Sequence, residues 1–540
     1  MEESSIRNSS KINFIISGIL PLQSKIIKRM SSLYWRRHSV FQITLLIFFS
    51  ISLFSQGRRD YIWVLGGTNS VSGIDSNFNR FTFDFNKKPL EIKRIKKYFR
   101  IHQNNASICD KDGNLLIHTT GCYISDRLMR PMPNGKINEG FTWDFICKDE
   151  DYPVFLGSLI IPVANDEYKY IVLHKFDEFD VGPTKRTVVT RLLYSVVDMR
   201  LNNGYGDVVS KNNVVLNEFL TYSELTATRH SNNKDWWILV QSETGNSYYK
   251  IRISDDKVEY TGEQKIGRES MDYGGGQSCF SPDGNQYARM TMQDGLYLFD
   301  FDRETGQLSS FRHHLTGQEN FDFSTGVAFS PNSRYVYITT EVDLYQLDTE
   351  VQDLSSSLVH IDTWDGYVDE GIWAAQFSHM MLAPDCKIYM RSRTSNRVMH
   401  VIHSPNQKGK ACNFEQHGVH LPAWNHASIP NFVNYRLGYE PVCDSSLVMN
   451  WDPGLHKYQK ELIIYPQPAS IQLHLELWDR NASIDRIRIT DLQGKEVLCQ
   501  QVMNYSYRYS IDISHMESGI YFVSVQDRKG TFYSSKFLKQ

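Results

Sequence analysis

Six tight polar turns recur along the chain, at Asp112, Asn165, Asn232, Asp283, Asn332 and Asp385, each joining a short apolar strand to one rich in aromatics. They are separated by 53, 67, 51, 49 and 53 residues, a period that few folds can accommodate. The clearest copies read Cys279-Phe280-Ser281-Pro282-Asp283-Gly284-Asn285-Gln286-Tyr287, Ala328-Phe329-Ser330-Pro331-Asn332-Ser333-Arg334-Tyr335 and Leu382-Ala383-Pro384-Asp385-Cys386-Lys387-Ile388-Tyr389. Proline pre-sets the first turn angle, and Asp, Asn and Gly tolerate the left-handed one, so each marker predicts a hairpin. A helical solenoid would show a 3.6-residue period inside each unit; these units alternate with period two. All-β units of this length cannot bury both faces alone, and radial packing as propeller blades solves that problem. Six markers imply six blades. A seventh can be assembled from Ser428-Ile429-Pro430-Asn431-Phe432-Val433 and the strands at 61–65 and 81–85, closing the ring with its two ends. The expected body is therefore all-β, a seven-bladed β-propeller over residues 57–440, with six or eight blades open and a pair of β-sandwiches as the competing fold.

At 540 residues the chain exceeds one ordinary core, so a second unit is expected. The repeat stops after Tyr439-Glu440-Pro441, a polar linker fills 441–460, and strands resume over 461–540 with a different grammar. Tyr465-Pro466-Gln467-Pro468 opens that segment, Asp491-Leu492-Gln493-Gly494-Lys495 makes a tight turn, Gly519-Ile520-Tyr521 begins a strand, and Lys536-Phe537-Leu538-Lys539-Gln540 ends the chain. Alternation on short strands predicts a small Ig-like β-sandwich.

These motifs resemble the type A C-terminal sorting domain of the type IX secretion system of Bacteroidetes, whose pattern is matched by Tyr465, Pro466, Pro468, Asp491, Gly494, Lys495, Gly519, Tyr521, Lys536 and Lys539. Gln467 departs from it, standing where the family usually has Asn. The resemblance implies transport across the outer membrane, then removal of the domain by a sortase as the body is released or attached to surface lipopolysaccharide. Its implied partners are the secretion machinery and that sortase. The body is similar to propeller proteins that carry this tag, through Gly121-Cys122-Tyr123-Ile124, Gly206-Asp207-Val208-Val209, Asp235-Trp236-Trp237, Asp300-Phe301-Asp302-Arg303 and Ile429-Pro430-Asn431-Phe432. That likeness implies an architecture and no activity.

Export also needs an N-terminal address. The apolar run Phe41-Gln42-Ile43-Thr44-Leu45-Leu46-Ile47-Phe48-Phe49 follows Arg36-Arg37 and precedes Ser55-Gln56-Gly57. It is short for a membrane span, which takes about 20 residues, and its flanks fit a signal peptide over 30–55 with cleavage before Gln56. An uncleaved anchor is the other reading. Residues 1–29 read as an upstream extension of the start. The net charge of −3 becomes −8 without residues 1–55. An acidic mature chain argues against nucleic-acid partners, and cleavage leaves no permanent membrane span. None of the eight cysteines forms a CxxC, which argues against zinc, and an oxidising destination lets some of them pair. Seven precede the tag, so the released body keeps at least one thiol without an internal partner.

No His-Glu-x-x-His, Gly-x-Ser-x-Gly or phosphate-binding loop is present. Asp110-x-Asp112-Gly113-Asn114 lacks the distal bidentate Glu of a calcium loop and reads as a turn. No metal or other cofactor is expected. Asp300-x-Asp302 reads as a polar hairpin end, Gly274-Gly275-Gly276 as a flexible approach to a strand, and Trp236-Trp237 as strand core. Function in propellers sits in loops feeding the innermost strands, where Glu224, Asp272, Asp322, Trp373 and His426 come from different units. Converging carboxylates, an aromatic platform and an imidazole suit a protein or glycan ligand, or acid and base for hydrolysis. Each of these residues taken singly also fits an ordinary solvated loop.

Overall fold

The computed structural model describes residues 57–67, 80–95, 101, 103–147, 152–179, 187–244, 246–269, 275–316, 324–369, 373–437, 462–466, 468–477, 482–503 and 506–540. Upstream extension, signal peptide and linker therefore lie outside the described residues. Two compact units emerge, 1–449 and 450–540. No described helix is long and apolar enough to cross a membrane.

Among its described residues the first unit is a series of antiparallel meanders, six of four strands and one of three, plus the short pair Val368–Asp369 and Trp373–Ala374. All six turn markers fall between the first and second strands of a four-stranded sheet. The local chemistry is the same each time: an Asp or Asn side chain accepts from the main-chain N–H two residues on. The pairs are Asp110 with Asp112 (2.9 Å), Asp166 with Tyr168 (3.1 Å), Asn232 with Lys234 (2.9 Å), Asp283 with Asn285 (3.1 Å), Asn332 with Arg334 (3.2 Å) and Asp385 with Lys387 (3.3 Å). Left-handed residues follow at Gly113, Asn233, Gly284, Ser333 and Cys386. At Asp110 this bonding is the turn expected in place of a calcium loop.

The first strands of successive sheets pack side by side, Ile62–Leu65 on Ala106–Cys109, the latter on Ser158–Pro162, and Thr226–Arg229 on Gln277–Phe280, then Gly326–Phe329 and Phe377–Leu382. The last sheet returns to the first: Phe414–His426 packs on Arg80–Asp84 and Glu91–Ile95, and the Trp63 ring meets Tyr389 at 5.7 Å. Meanders whose first strands line a common centre and whose ends meet form a β-propeller.

The ring does not close as the sequence suggests. The first sheet is built from Ile62–Leu65, Arg80–Asp84 and Glu91–Ile95, and residues 428–433 add no strand to it. They run instead as extended, non-sheet chain past the innermost strands of several sheets. Asn431 donates its side-chain N–H groups to the carbonyls of Leu156 (2.9 Å), Ser158 (3.1 Å) and Leu225 (2.9 Å), and its main-chain N–H to Asn105 (2.7 Å). Further on, the Tyr435 hydroxyl donates to Ile160 (2.8 Å), and Arg436 pairs with Asp60 at 2.6 Å. A short apolar run reads as a strand whichever environment buries it, and here the channel takes the place of a neighbouring strand. Replacing Asn431 by Ala strips a shared donor from three buried carbonyls and is expected to cost about 2–3 kcal/mol, measurable by urea unfolding.

Cys122 and Cys147 form a disulfide with a Cα separation of 5.7 Å, and Cys386 is also disulfide-bonded. Cys109, Cys279 and Cys412 remain thiols in the body, where the odd count requires at least one. Trp236 and Trp237 are both buried on opposite faces of one strand, the first against Tyr435 and the second donating to the Arg303 carbonyl at 2.9 Å.

The second unit packs the sheet Leu462–Tyr465, Gln472–Leu477 and Arg508–Asp512 against a second one, ordered Glu496–Gln501, Ile484–Thr490, Gly519–Asp527 and Phe532–Lys539. Leu473, Leu475, Ile487, Ile489, Val523, Val525 and Phe537 fill the space between them. The expected small β-sandwich is what forms.

Candidate functional site

Loops feeding the first strands define one face of the propeller, called here the upper face. Of the five residues expected there, Asp272 and Asp322 lie outside the described residues.

Glu224 lies two residues before the strand Thr226–Arg229 and is 1% exposed. Its carboxylate accepts from Arg289 Nε at 2.6 Å, and Arg289, on the next sheet, is equally buried, with its guanidinium 5.3 Å from the Tyr297 ring. Glu224 is thus half of an enclosed ion pair joining two sheets, where the sequence suggested a loop carboxylate. Its backbone takes the left-handed conformation, φ 69°.

Trp373, on the short strand pair, and His426, at the end of the last sheet, both lie against the start of the strand Ser395–Ile402. Asn396 donates to the Trp373 carbonyl at 3.0 Å, the Trp373 ring stands edge-on to Trp424 at 5.8 Å, and Ser395 bonds to His426 Nδ1 across the strand pair. Burial, aided by the Arg391 charge, pulls the His426 imidazole down to about 4.

Three groups on this face escaped sequence reasoning. Arg391 donates to His379 Nδ1 (2.9 Å), Ser324 Oγ (3.2 Å) and the Ser392 and Arg393 carbonyls (3.0 and 3.2 Å), so its donors are spent inside the protein. Gly275 serves the same knot, accepting from His379 Nε2 at 3.2 Å. Asp177 sits near the end of Lys169–Phe179, 1% exposed, and burial pushes its carboxyl up to about 6 against the opposing pull of Tyr152 and Thr142.

The third group is aromatic. Phe141 and Phe145, one helical turn apart on Phe141–Ile146, are 56% and 69% exposed, and Phe179 beside them is 42% exposed. Ring centroids are 4.5 Å apart for Phe141 and Phe145 and 5.6 Å for Phe141 and Phe179. Trp143 faces inward from the same helix and donates to the Cys122 carbonyl at 3.3 Å, and the Cys122–Cys147 disulfide ties down the helix end. Neighbouring charges are mutually engaged: Arg191 with Glu178 at 2.5 Å, and Lys211 and Lys136 with Glu139 at 3.3 and 3.4 Å. The i,i+4 aromatic spacing was visible in the sequence, but an inward face has the same spacing.

In the second unit the matched motifs hold turns and strand ends. Asp491 accepts from the N–H groups of Gln493 (3.0 Å) and Lys495 (2.9 Å), and Gly494 takes the left-handed conformation. Tyr465 packs on His474 with centroids at 5.0 Å and the rings tilted by 32°. Tyr521 packs on Phe537 at 5.6 Å and donates to the Glu517 carbonyl at 2.9 Å. Gly519 pairs with Lys539, whose ammonium donates to the Gln540 carbonyl, and Lys536 lies opposite Phe522.

Fold and motifs together define an all-β propeller protein with a C-terminal tag. A family model for the secretion system C-terminal sorting domain matches residues 463–540, and that unit is a sorting domain of the type IX secretion system. The chain is thus an exported β-propeller protein whose tag is addressed to the type IX machinery. No curated protein matches it. Among solved structures, it is similar to a candidate 6-phosphogluconolactonase from Bacteroides uniformis, with 11% identity, TM-score 0.40, and 69% of this chain and 98% of that one covered. A counterpart from Bacteroides fragilis gives 11%, 0.39, 69% and 96%. A dihydro-heme d1 dehydrogenase gives 11%, 0.33, 84% and 75%. Nothing about this chain's chemistry follows from overlaps this loose.

Proposed function

We propose that the propeller is a binding module for a protein or glycan, displayed at the cell surface or released after a signal peptide at 30–55 and the tag have done their work. Removal by a sortase and attachment to surface lipopolysaccharide belong to the same proposal. The observation that carries the binding role is the cluster of Phe141, Phe145 and Phe179. Three exposed aromatic rings, two on a disulfide-tied helix and one at the end of the adjacent strand, are costly to leave in water and suit a ligand that covers them. Trp373 and His426 offer further contacts on the same face, with Asp272 and Asp322 as proposed neighbours. Because Glu224 is enclosed, its contribution is to hold the face in shape.

Binding of the purified body to an array of surface glycans, and to protein from the host's surroundings, tests this. Phe141→Ala with Phe145→Ala should lower affinity at least tenfold and leave the melting temperature within about 2 °C, since the rings are exposed. Unchanged affinity in every ligand detected would overturn the aromatic site.

A second reading, a glycan or peptide hydrolase, draws on the Asp177 carboxyl, raised to about 6 and so suited to a general acid near neutral pH; at 1% exposed it would have to be uncovered by ligand binding to reach a substrate. Asp177→Asn should then abolish turnover while stabilising the fold at pH 7, because it removes a buried charge. Turnover that survives this substitution sinks the hydrolase reading at Asp177.

A further inference from the structure

The larger sheet of the sorting domain has an unusual outer face. Strand alternation sends Ile487, Ile489, Tyr521, Val523, Val525, Tyr533 and Phe537 into the core, and the opposite positions would ordinarily be polar. Here Ile520 (37% exposed), Phe522 (43%), Leu538 (41%) and Phe532 (69%) stand outward. Register concentrates them: Ile520 lies directly opposite Leu538, and Phe522 is flanked by Lys536 on one strand and Thr490 on the other. Basic side chains stand at outward positions beside them, Arg486, Arg488 and Lys536, of which Arg488 engages Glu496 at 2.8 Å. The face is therefore apolar along one side and cationic beside it.

We infer that this face, centred on Ile520, Phe522 and Leu538, is the surface by which the domain is read by the type IX export machinery, whose receiving site is apolar with an acidic rim. The inference rests on the sorting role of the unit. Two properties select this partner. A sorting domain has to be recognised by the machinery, and the buried motif residues such as Tyr521 are not available for contact. The basic side chains Arg486, Arg488 and Lys536 beside the apolar row suit an acidic counterpart, since exposed complementary charge sets orientation and encounter rate. An apolar centre on a sheet face supplies the desolvated area that a specific contact needs.

The test uses the full-length chain expressed in a host that carries the secretion system, with periplasmic and extracellular fractions quantified. The variant Ile520→Ser, Phe522→Ser, Leu538→Ser should accumulate in the periplasm, with the extracellular amount reduced at least tenfold. The charge variant Arg486→Glu, Lys536→Glu alters only exposed side chains and should reduce export about threefold to tenfold. It keeps the test decisive should the triple variant misfold. Export of the folded variants at the normal level overturns the inference. Removal of residues 462–540 is the control: if that truncated chain is still exported, the sorting role itself has failed, and not merely its assignment to this face.

Discussion

Lowering the pH from 7 to 5.5 is expected to cost the propeller body about 3–4 kcal/mol of unfolding free energy, a large part of the 5–15 kcal/mol typical of a domain. Four fully enclosed imidazoles carry most of the effect, and His426, pulled down to about 4, adds to it. Burial pulls His118, His174 and His400 down to about 3, and His379 also falls well below its ordinary value, with the Arg391 charge assisting. All four are at most 1% exposed. They are held neutral by specific partners: His174 lies between Asn138 (2.6 Å) and Ser195 (3.0 Å), and His118 faces Asn105 at 3.1 Å. The unfolded chain takes up protons near the ordinary pKa of 6.5, and the folded chain does not until far lower. Stability from these groups is therefore complete above about 6.5 and falls as pH drops toward 3, by about 1 kcal/mol at pH 5.5 for each of His118, His174 and His400, with His379 acting in the same direction. Asp177 acts oppositely, because a raised carboxyl gains protons in the folded state first, and it returns about 1 kcal/mol. Asp60 and Asp385, also raised by burial, act in its direction. Urea unfolding at pH 7.5, 6.5 and 5.5 measures the slope, and a flat profile would contradict the neutral-histidine account. His174→Gln, which keeps a donor and an acceptor without titrating, should remove one histidine's share.

Glu224→Gln is expected to destabilise the body by about 3–5 kcal/mol, because it leaves Arg289 charged and enclosed. The pair is 2.6 Å apart with side chains 1% and 0% exposed, so water cannot replace the lost carboxylate. Arg289→Met combined with Glu224→Leu should recover most of that loss, since removing both charges removes the desolvation cost along with the attraction. A double-mutant cycle by chemical denaturation gives the coupling, and a loss below about 1 kcal/mol for the single change would show that the pair is not enclosed in solution. Loss of binding in a Glu224 variant would therefore report a damaged fold and says nothing about contact with ligand.

How much of this was legible in the chain follows from which interactions are local. The six hairpins could be placed because an Asp or Asn that caps a turn bonds to an N–H two residues away, as at Asp283 and Asn332, and needs no knowledge of the rest of the fold. Tyr465, Asp491, Gly494 and Tyr521 of the sorting domain were legible for the same reason: their roles lie in a turn or a neighbouring strand. The candidate site was read less well. Glu224 appears as a loop carboxylate in sequence, and its partner Arg289 arrives from another sheet, 65 residues later. Phe141 and Phe145 share a helical face, but only the fold decides that this face looks outward and Trp143 inward.

Alone, the sequence determined a repeating all-β body and a tag that directs its export, because strand alternation, turn chemistry and the sorting motifs are properties of short segments. The closure of the ring was decided by tertiary structure alone. The Ser428 to Val433 run has the pattern of a strand, yet the channel is where its polar groups find their partners: Asn431 can bond to Leu156, Ser158 and Leu225 at once only after separate sheets have been brought around it.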